Sequence, residues 1–427
     1  MPAKPPARIS PASLSILLGS LYIAQGLPSG FFAHALPVLL REQGVSLTWI
    51  SLAKLLAMPW FFKFLWAPWV DRRGSRRFGH YSSWILSLQS LSLLLVCSLS
   101  LFYPMQDPTQ NPTQWAGMHL LLFLLAALLI NTCLATQDIA TDALAIKLLP
   151  ISLRGWGNSI QVAGYKLGML AGGNGLLILM AVFEWHDMFI WLAIGLLILM
   201  LPVLFFTEPQ QAPTSAQTTD APIVRSLRAE WQSLLSQPAM HLWLPVLLTY
   251  KIADSLASGM IKPLLFDSGF SIERIGHIGM AASIAGIAAA FSGGLFARQL
   301  SSWHALLWAG GLQAAGLAAW ALVPMGWHSD TAVYSIALFE QMADALSTVA
   351  LFAAMMGFCR PGHEGSDYTV QMSLFMLVSG TLSLGGGFIA SVLGAPLFFI
   401  VSGLLATLCL LAVVRAMSIL KSTPMFS

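Results

Sequence analysis

The sequence predicts an all-α polytopic membrane protein built from twelve helices in two six-helix halves. Three observations carry this expectation. Apolar residues make up 57% of the 427 residues and charged residues only 9%, with a mean hydropathy of +0.74; a soluble domain carries about 25% charged residues. The apolar residues fall into long runs of roughly 20 residues, the length that crosses a hydrocarbon core. The first half of the chain also echoes the second.

The runs cover 13–40, 47–69, 81–103, 116–147, 156–182, 187–206, 239–266, 273–297, 304–326, 331–358, 367–393 and 395–415, referred to below as spans one to twelve. The start, MPAKPPARISPASLSILLGSLY, is basic and then apolar, like a secretion signal. The apolar run continues past the length of such a signal and lacks a small-residue cleavage site, so it is read as an uncleaved first span.

Lys and Arg set the orientation. Of the 21, fourteen fall on one side of the predicted membrane and only Arg41 and Arg274 on the other. The remaining five, Lys54, Lys63, Lys166, Lys251 and Lys262, lie within spans. Both termini and the middle loop are therefore expected in the cytoplasm. That loop, 207–238, separates a bundle at 1–206 from one at 239–427. It opens polar and Pro-containing, then places Ile223, Leu227, Trp231 and Leu235 at helical spacing. A short amphipathic helix on the membrane surface is expected there.

The halves echo each other at matching places. AQGLPSG at 24–30 resembles ADSLASG at 253–259, and spans four and ten share an Asp-Ala-Leu at 142–144 and 344–346. Charge follows the same order. Spans three, six, nine and twelve have no charged residue in their apolar cores. Spans two (Lys54, Lys63), four (Asp138, Asp142), five (Lys166), seven (Lys251, Asp254, Lys262) and ten (Glu340, Asp344) do. A charge at bilayer depth costs about 2.5–3.5 kcal/mol on insertion scales, and marks a pathway or a paired site.

Counting at about 1.5 Å per residue puts Gln25, Lys166, Lys251, Asp254, Glu340 and Asp344 near the midplane. Asp138 and Asp142 lie nearer the cytoplasmic end. Each pair, Asp138/Asp142 and Glu340/Asp344, is four residues apart and shares a helix face. Asp254, Glu340 and Asp344 are the proton-coupling candidates, with a structural Lys251–Asp254 pair as the plainer alternative. Gln25, His34, Lys54, Trp60, Phe61, Lys166 and Lys251 are candidates for a substrate cavity.

After span two the chain reads APWVDRRGSRRFG. Asp71, Arg72, Gly74, Arg76 and Arg77 match the latter part of the cytoplasmic signature of the major-facilitator transporters; Ala67 stands where that signature begins with Gly. The duplicated six-helix halves are the organisation of that superfamily. The resemblance implies a 12-helix major-facilitator fold with pseudo-two-fold symmetry, in which every third helix faces lipid. A latch from the arginines to Asp138 and Asp142 is one reading of the loop; plain positive-inside anchoring is the other.

Other chemistry is not signalled. Cys97, Cys133, Cys359 and Cys409 lie in apolar runs without metal-ligand spacing, so no metal and no cofactor is expected. There is no HExxH, GxSxG or Walker loop, and an enzyme is not expected. The formal net charge of +3 gives no reason to expect a nucleic-acid partner.

The segments GLPSGFFAHALPVLLREQGVSLTWISL, FFKFLWAPWVDR and ATQDIATDALAI resemble the AmpG-like branch of the superfamily, which includes muropeptide permeases and the RhtX/FptX siderophore permeases. Chain length and span number look more like the siderophore type. This resemblance implies that Gln137, Asp138 and Asp142 belong to a gate or coupling element at the inner mouth; Lys63 and the Arg72–Arg77 loop are the cations that can neutralise the two carboxylates there. The expectation is a monomeric permease of the bacterial inner membrane that imports a ferric siderophore with protons. The alternative cargo is an anhydromuropeptide; a non-transporting membrane sensor is the rival from another class.

Overall fold

The computed structural model describes residues 10–37, 54–75, 77–101, 118–180, 183–209, 229, 231–297 and 300–422. Among these, nine helices are long and apolar enough to cross a membrane. They occupy nine of the predicted spans. The other three, spans two, five and seven, are broken into shorter pieces.

Span two runs through a 3-10 turn at Lys54–Ala57, a helix at Met58–Phe62, a second 3-10 turn at Lys63–Leu65 and a helix at Ala67–Arg72. Pro59 and Pro68 start the two α-helical pieces, where proline's missing N–H costs nothing. Span seven breaks at Lys251, between helices Pro238–Thr249 and Ile252–Ala257, and again at Ser258–Met260.

Span five runs from Arg154 to Leu170 and then widens into a π-helical turn at Ala171–Gly175. Its glycines form a seam against span one. Cβ atoms added at Gly168 and Gly172 would lie 2.4 Å from Ile23 O and 1.7 Å from Leu27 O. Those at Gly26 and Gly30 would lie 2.3 Å from Tyr165 O and from Met169 O. The backbones of spans one and five touch as small-xxx-small helices do, and span one carries its own π turn at Phe31–Ala35.

The chain groups into two compact units. One comprises Met1–Leu148, Gly164–Ser226 and Arg360–Thr369; the other comprises Leu149–Ala163, Leu227–Cys359 and Val370–Ser427. The first has a core around Phe31, Phe123, Trp185 and Phe189, with Phe31 set edge-on to Phe189 at 5.2 Å. A second core packs Tyr81 and Ile85 of span three against Ile139, Ala143 and Leu144 of span four. In the other unit, Leu317, Trp320, Val333, Ile336 and Phe398 join spans nine, ten and twelve. Of the loop 207–238, residues 210–228 and 230 lie outside the described residues, and with them Ile223 and Leu227 of the expected amphipathic helix; 229 and 231–235, with Trp231 and Leu235, are helical.

Candidate functional site

Span four gathers the polar groups of the first unit. Its helix, Met118–Leu148, is buried continuously from Cys133 to Ile146. A charge there needs a partner, and the neighbouring spans supply it. Lys63, fully buried, forms an ion pair with Asp138. Tyr22 Oη donates to Asp142 Oδ1 at 2.9 Å, and Gln25 Nε2 donates to Thr141 Oγ1 at 3.2 Å. Trp66 Nε1 donates to Thr136 Oγ1 at 3.0 Å. Trp60 Nε1 donates to Asn131 Oδ1 at 3.3 Å, and the Lys63 ammonium lies 5.5 Å from the Trp60 ring centre. Gln137 is fully buried, and neither its Oε1 nor its Nε2 has a hydrogen-bond partner among the described residues.

The loop after span two is held through its acid. Asp71 Oδ1 accepts from Tyr81 Oη at 2.9 Å and from Gly365 N at 3.2 Å. Asp71 Oδ2 accepts from Ser366 N at 2.7 Å and Ser366 Oγ at 2.6 Å. These amides open the helix Glu364–Leu393, so the carboxylate caps a positive helix end. Gly365 is required: a Cβ there would lie 2.5 Å from Asp71 Oδ1. Burial pushes the Asp71 carboxyl up to about 6, against the lowering effect of its Ser366 and Tyr81 hydrogen bonds. Gly74 has a steric reason too, since a Cβ would meet His80 Nδ1 at 2.4 Å. Arg77 is exposed, its guanidinium 5.6 Å from the Phe78 ring centre. Arg76 lies outside the described residues.

In the second unit Lys251, at the break in span seven, is 3% exposed. Its Nζ lies 2.7 Å from Asp344 Oδ1 and 3.7 Å from Asp254 Oδ2. Thr348 Oγ1 adds a bond to Asp344 Oδ1 at 3.4 Å. Glu340, one turn away and 1% exposed, accepts from Gln341 Nε2 on Oε2 at 3.1 Å. Its Oε1 has no partner among the described residues.

The structure brings Gln25, Trp60, Lys63, Asp138 and Asp142 together in one polar cluster and Lys251, Asp254, Glu340 and Asp344 in another. Asp138 and Asp142 take the partners named above from membrane helices, Lys63 and Tyr22. Asp344 rather than Asp254 is the nearer partner of Lys251. Gln25 is buried, Trp60, Phe61 and Lys166 are half-buried, and His34 is exposed at the π turn of span one. The Lys54 side chain lies outside the described residues. Sequence reasoning missed Tyr22, Asn131, Thr136 and Thr141. The last three were signalled only by neutral polar residues recurring along an otherwise apolar helix.

Residues 18–383 match the family model of the Major Facilitator Superfamily. The chain is 29% identical over 377 residues to the anhydromuropeptide permease of Escherichia coli K12, covering 86% of this chain and 72% of that one. It is 23% identical over 395 residues to the putative transporter AmpG 4 of Rickettsia felis, covering 90% and 92%. A solved bacterial homologue of the iron transporter ferroportin, in an outward-facing state, matches with a TM-score of 0.71 over 95% of this chain and 99% of that one; at 15% identity this is a likeness of fold alone. With its helical architecture and a match spanning most of its length, the chain belongs to the Major Facilitator Superfamily.

Proposed function

We propose that the protein is an AmpG-like permease that carries anhydromuropeptides from periplasm to cytoplasm across the bacterial inner membrane, driven by protons. The observation that carries this reading is the 29% identity to the Escherichia coli anhydromuropeptide permease across 86% of the chain. It favours the muropeptide over the ferric siderophore suggested by chain length.

The site chemistry suits such a cargo. Sugar rings pack on aromatic faces and their hydroxyls bond to amides. Half-buried Trp60 and Phe61, with Gln25 of span one, offer both kinds of contact. Lys166 and Lys54 are the cations proposed for the cargo's carboxylates, and His34 for its polar rim. Lys251 is assigned instead to the acids of spans seven and ten. Asp254, Glu340 and Asp344 are the proposed coupling group, and Lys63, Asp71, Arg72, Gly74, Arg76, Arg77, Gln137, Asp138 and Asp142 the proposed cytoplasmic gate. The halves 1–206 and 239–427 would expose the site alternately to the two sides.

The test is uptake of labelled anhydromuropeptide in a bacterial strain lacking its own permease. Uptake that depends on this gene and collapses with a protonophore supports the reading. Uptake of a ferric siderophore with no muropeptide uptake restores the other cargo.

A further inference from the structure

Span nine has no charged residue in its apolar core, and its sequence gives no sign of a part in transport. Its buried face says otherwise. Gln313, Gly316 and Trp320 stand at i, i+3 and i+7, one stripe of a helix. Gln313 and Trp320 are 3% and 1% exposed. Gln313 Oε1 accepts from Ser347 Oγ of span ten at 2.6 Å. A Cβ at Gly316 would lie 3.0 Å from Glu340 Cα, so the two helices meet closely there. These two contacts set the register of the antiparallel pair. Trp320 shares a core cluster with Ile336 and Ala337, which precede Glu340 on span ten. Glu340 is therefore bracketed along span nine by Gln313 on one side and Trp320 on the other.

Three polar atoms on this seam have no hydrogen-bond partner among the described residues: Glu340 Oε1, Gln313 Nε2 and Trp320 Nε1. One is an acceptor and two are donors. Buried polar atoms in this condition are rare and costly. The charged groups that face Glu340 are Asp344 on its own helix and Lys251 and Asp254 on span seven, and Lys251 is engaged by the two aspartates. Span eight meets this stretch of span ten through Gly286, where a Cβ would lie 3.1 Å from Gln341 O. Lys251 is thus shared with two other acids, whereas two N–H donors of span nine have no partner among the described residues.

We propose that Gln313 and Trp320 of span nine receive the ionised form of Glu340. When the Glu340 O–H proton passes to cytoplasmic water, the carboxylate turns to the Gln313 and Trp320 N–H groups; on reprotonation it releases them. Span nine then takes part in coupling as a pair of positioning residues without carrying charge itself. This rests on the proton-driven reading given above.

The experiment measures the pH dependence of uphill uptake, and of downhill counterflow, in proteoliposomes. Gln313→Leu and Trp320→Phe remove the side-chain N–H donors while keeping most of the volume; Gln313→Leu also removes the acceptor of the Ser347 hydroxyl, which keeps its bond to Asp344 O at 2.9 Å. Each variant is expected to move the half-maximal pH of uptake upward by about one unit, a tenfold change in proton affinity, with counterflow near the wild-type rate. In a Glu340→Gln background, which has no uphill uptake, neither substitution should alter the pH dependence of counterflow. An unchanged half-maximal pH in both variants, or a change in the pH dependence of counterflow that appears without Glu340, overturns the proposal. Wild-type uptake that ignores the proton gradient instead defeats the coupling reading beneath it. For a variant that does not fold, infrared spectroscopy of the wild type decides. Loss of the protonated carboxyl band on raising pH should coincide with an indole N–H shift towards stronger hydrogen bonding; loss without that shift overturns the proposal.

Discussion

The Lys251 ammonium lies 2.7 Å from Asp344 Oδ1 and 3.7 Å from Asp254 Oδ2, so one buried cation serves two acids on two helices. Removing one partner of such a group leaves an uncompensated charge, which costs about 3–5 kcal/mol, whereas removing both costs far less. Lys251→Met should therefore lower thermal stability in detergent sharply. Lys251→Met combined with Asp344→Leu should recover much of the loss. A double variant no more stable than the single one would mean that the pair does not hold spans seven and ten together.

The glycine seam of spans one and five leaves no room for a side chain. Gly168→Leu should destabilise by at least the roughly 1–3 kcal/mol typical of overpacking, because the obstacle is backbone, Ile23 O. Gly276, where an added Cβ would meet nothing within 4 Å, should accept Ala with little change. Equal melting temperatures for wild type and Gly168→Leu would contradict the close approach.

Asp71 gives a pH dependence with a definite sign. Its folded pKa of about 6 stands above the ordinary 3.8, so between those values the folded state holds more proton than the unfolded state. Stability from this group therefore rises as pH falls from about 7 towards 4, and is lost as pH rises through about 6. The melting temperature of wild type should gain on that of Asp71→Asn when pH is lowered from about 7 to about 5. A constant difference across that range would show that Asp71 titrates as if exposed.

The distribution of Lys and Arg predicts that the loop 207–238 is cytoplasmic. A phosphatase fused at Ser215 should be inactive, and a fluorescent protein at the same place bright. Active phosphatase would reverse the orientation of every span.

The span pattern was legible because hydropathy reports directly on the bilayer. The polar clusters were legible because Asp138, Lys251 and Glu340 are too costly in lipid to be accidental. What stayed hidden depends on pairing across helices. The sequence offers Lys63 as a cation for Asp138 and Asp142, and only the packing of the helices selects Asp138. Gly168 and Gly172 look like ordinary membrane-helix glycines until the carbonyls of span one lie against them. Asp71 reads in sequence as part of the cytoplasmic signature, and nothing there shows that in the fold it accepts from the Gly365 and Ser366 amides, far along the chain. Gln313 and Trp320 sit in a span without charge, so no local signal singles them out.

The central claim is that this chain moves anhydromuropeptide using protons, and purified protein in liposomes tests it most directly. With an inward proton gradient, labelled anhydromuropeptide should accumulate above its external concentration and leak back when a protonophore is added. Glu340→Gln should lose that accumulation while still exchanging internal for external cargo. Absence of any muropeptide movement by folded wild-type protein, or accumulation indifferent to the gradient, would contradict the account.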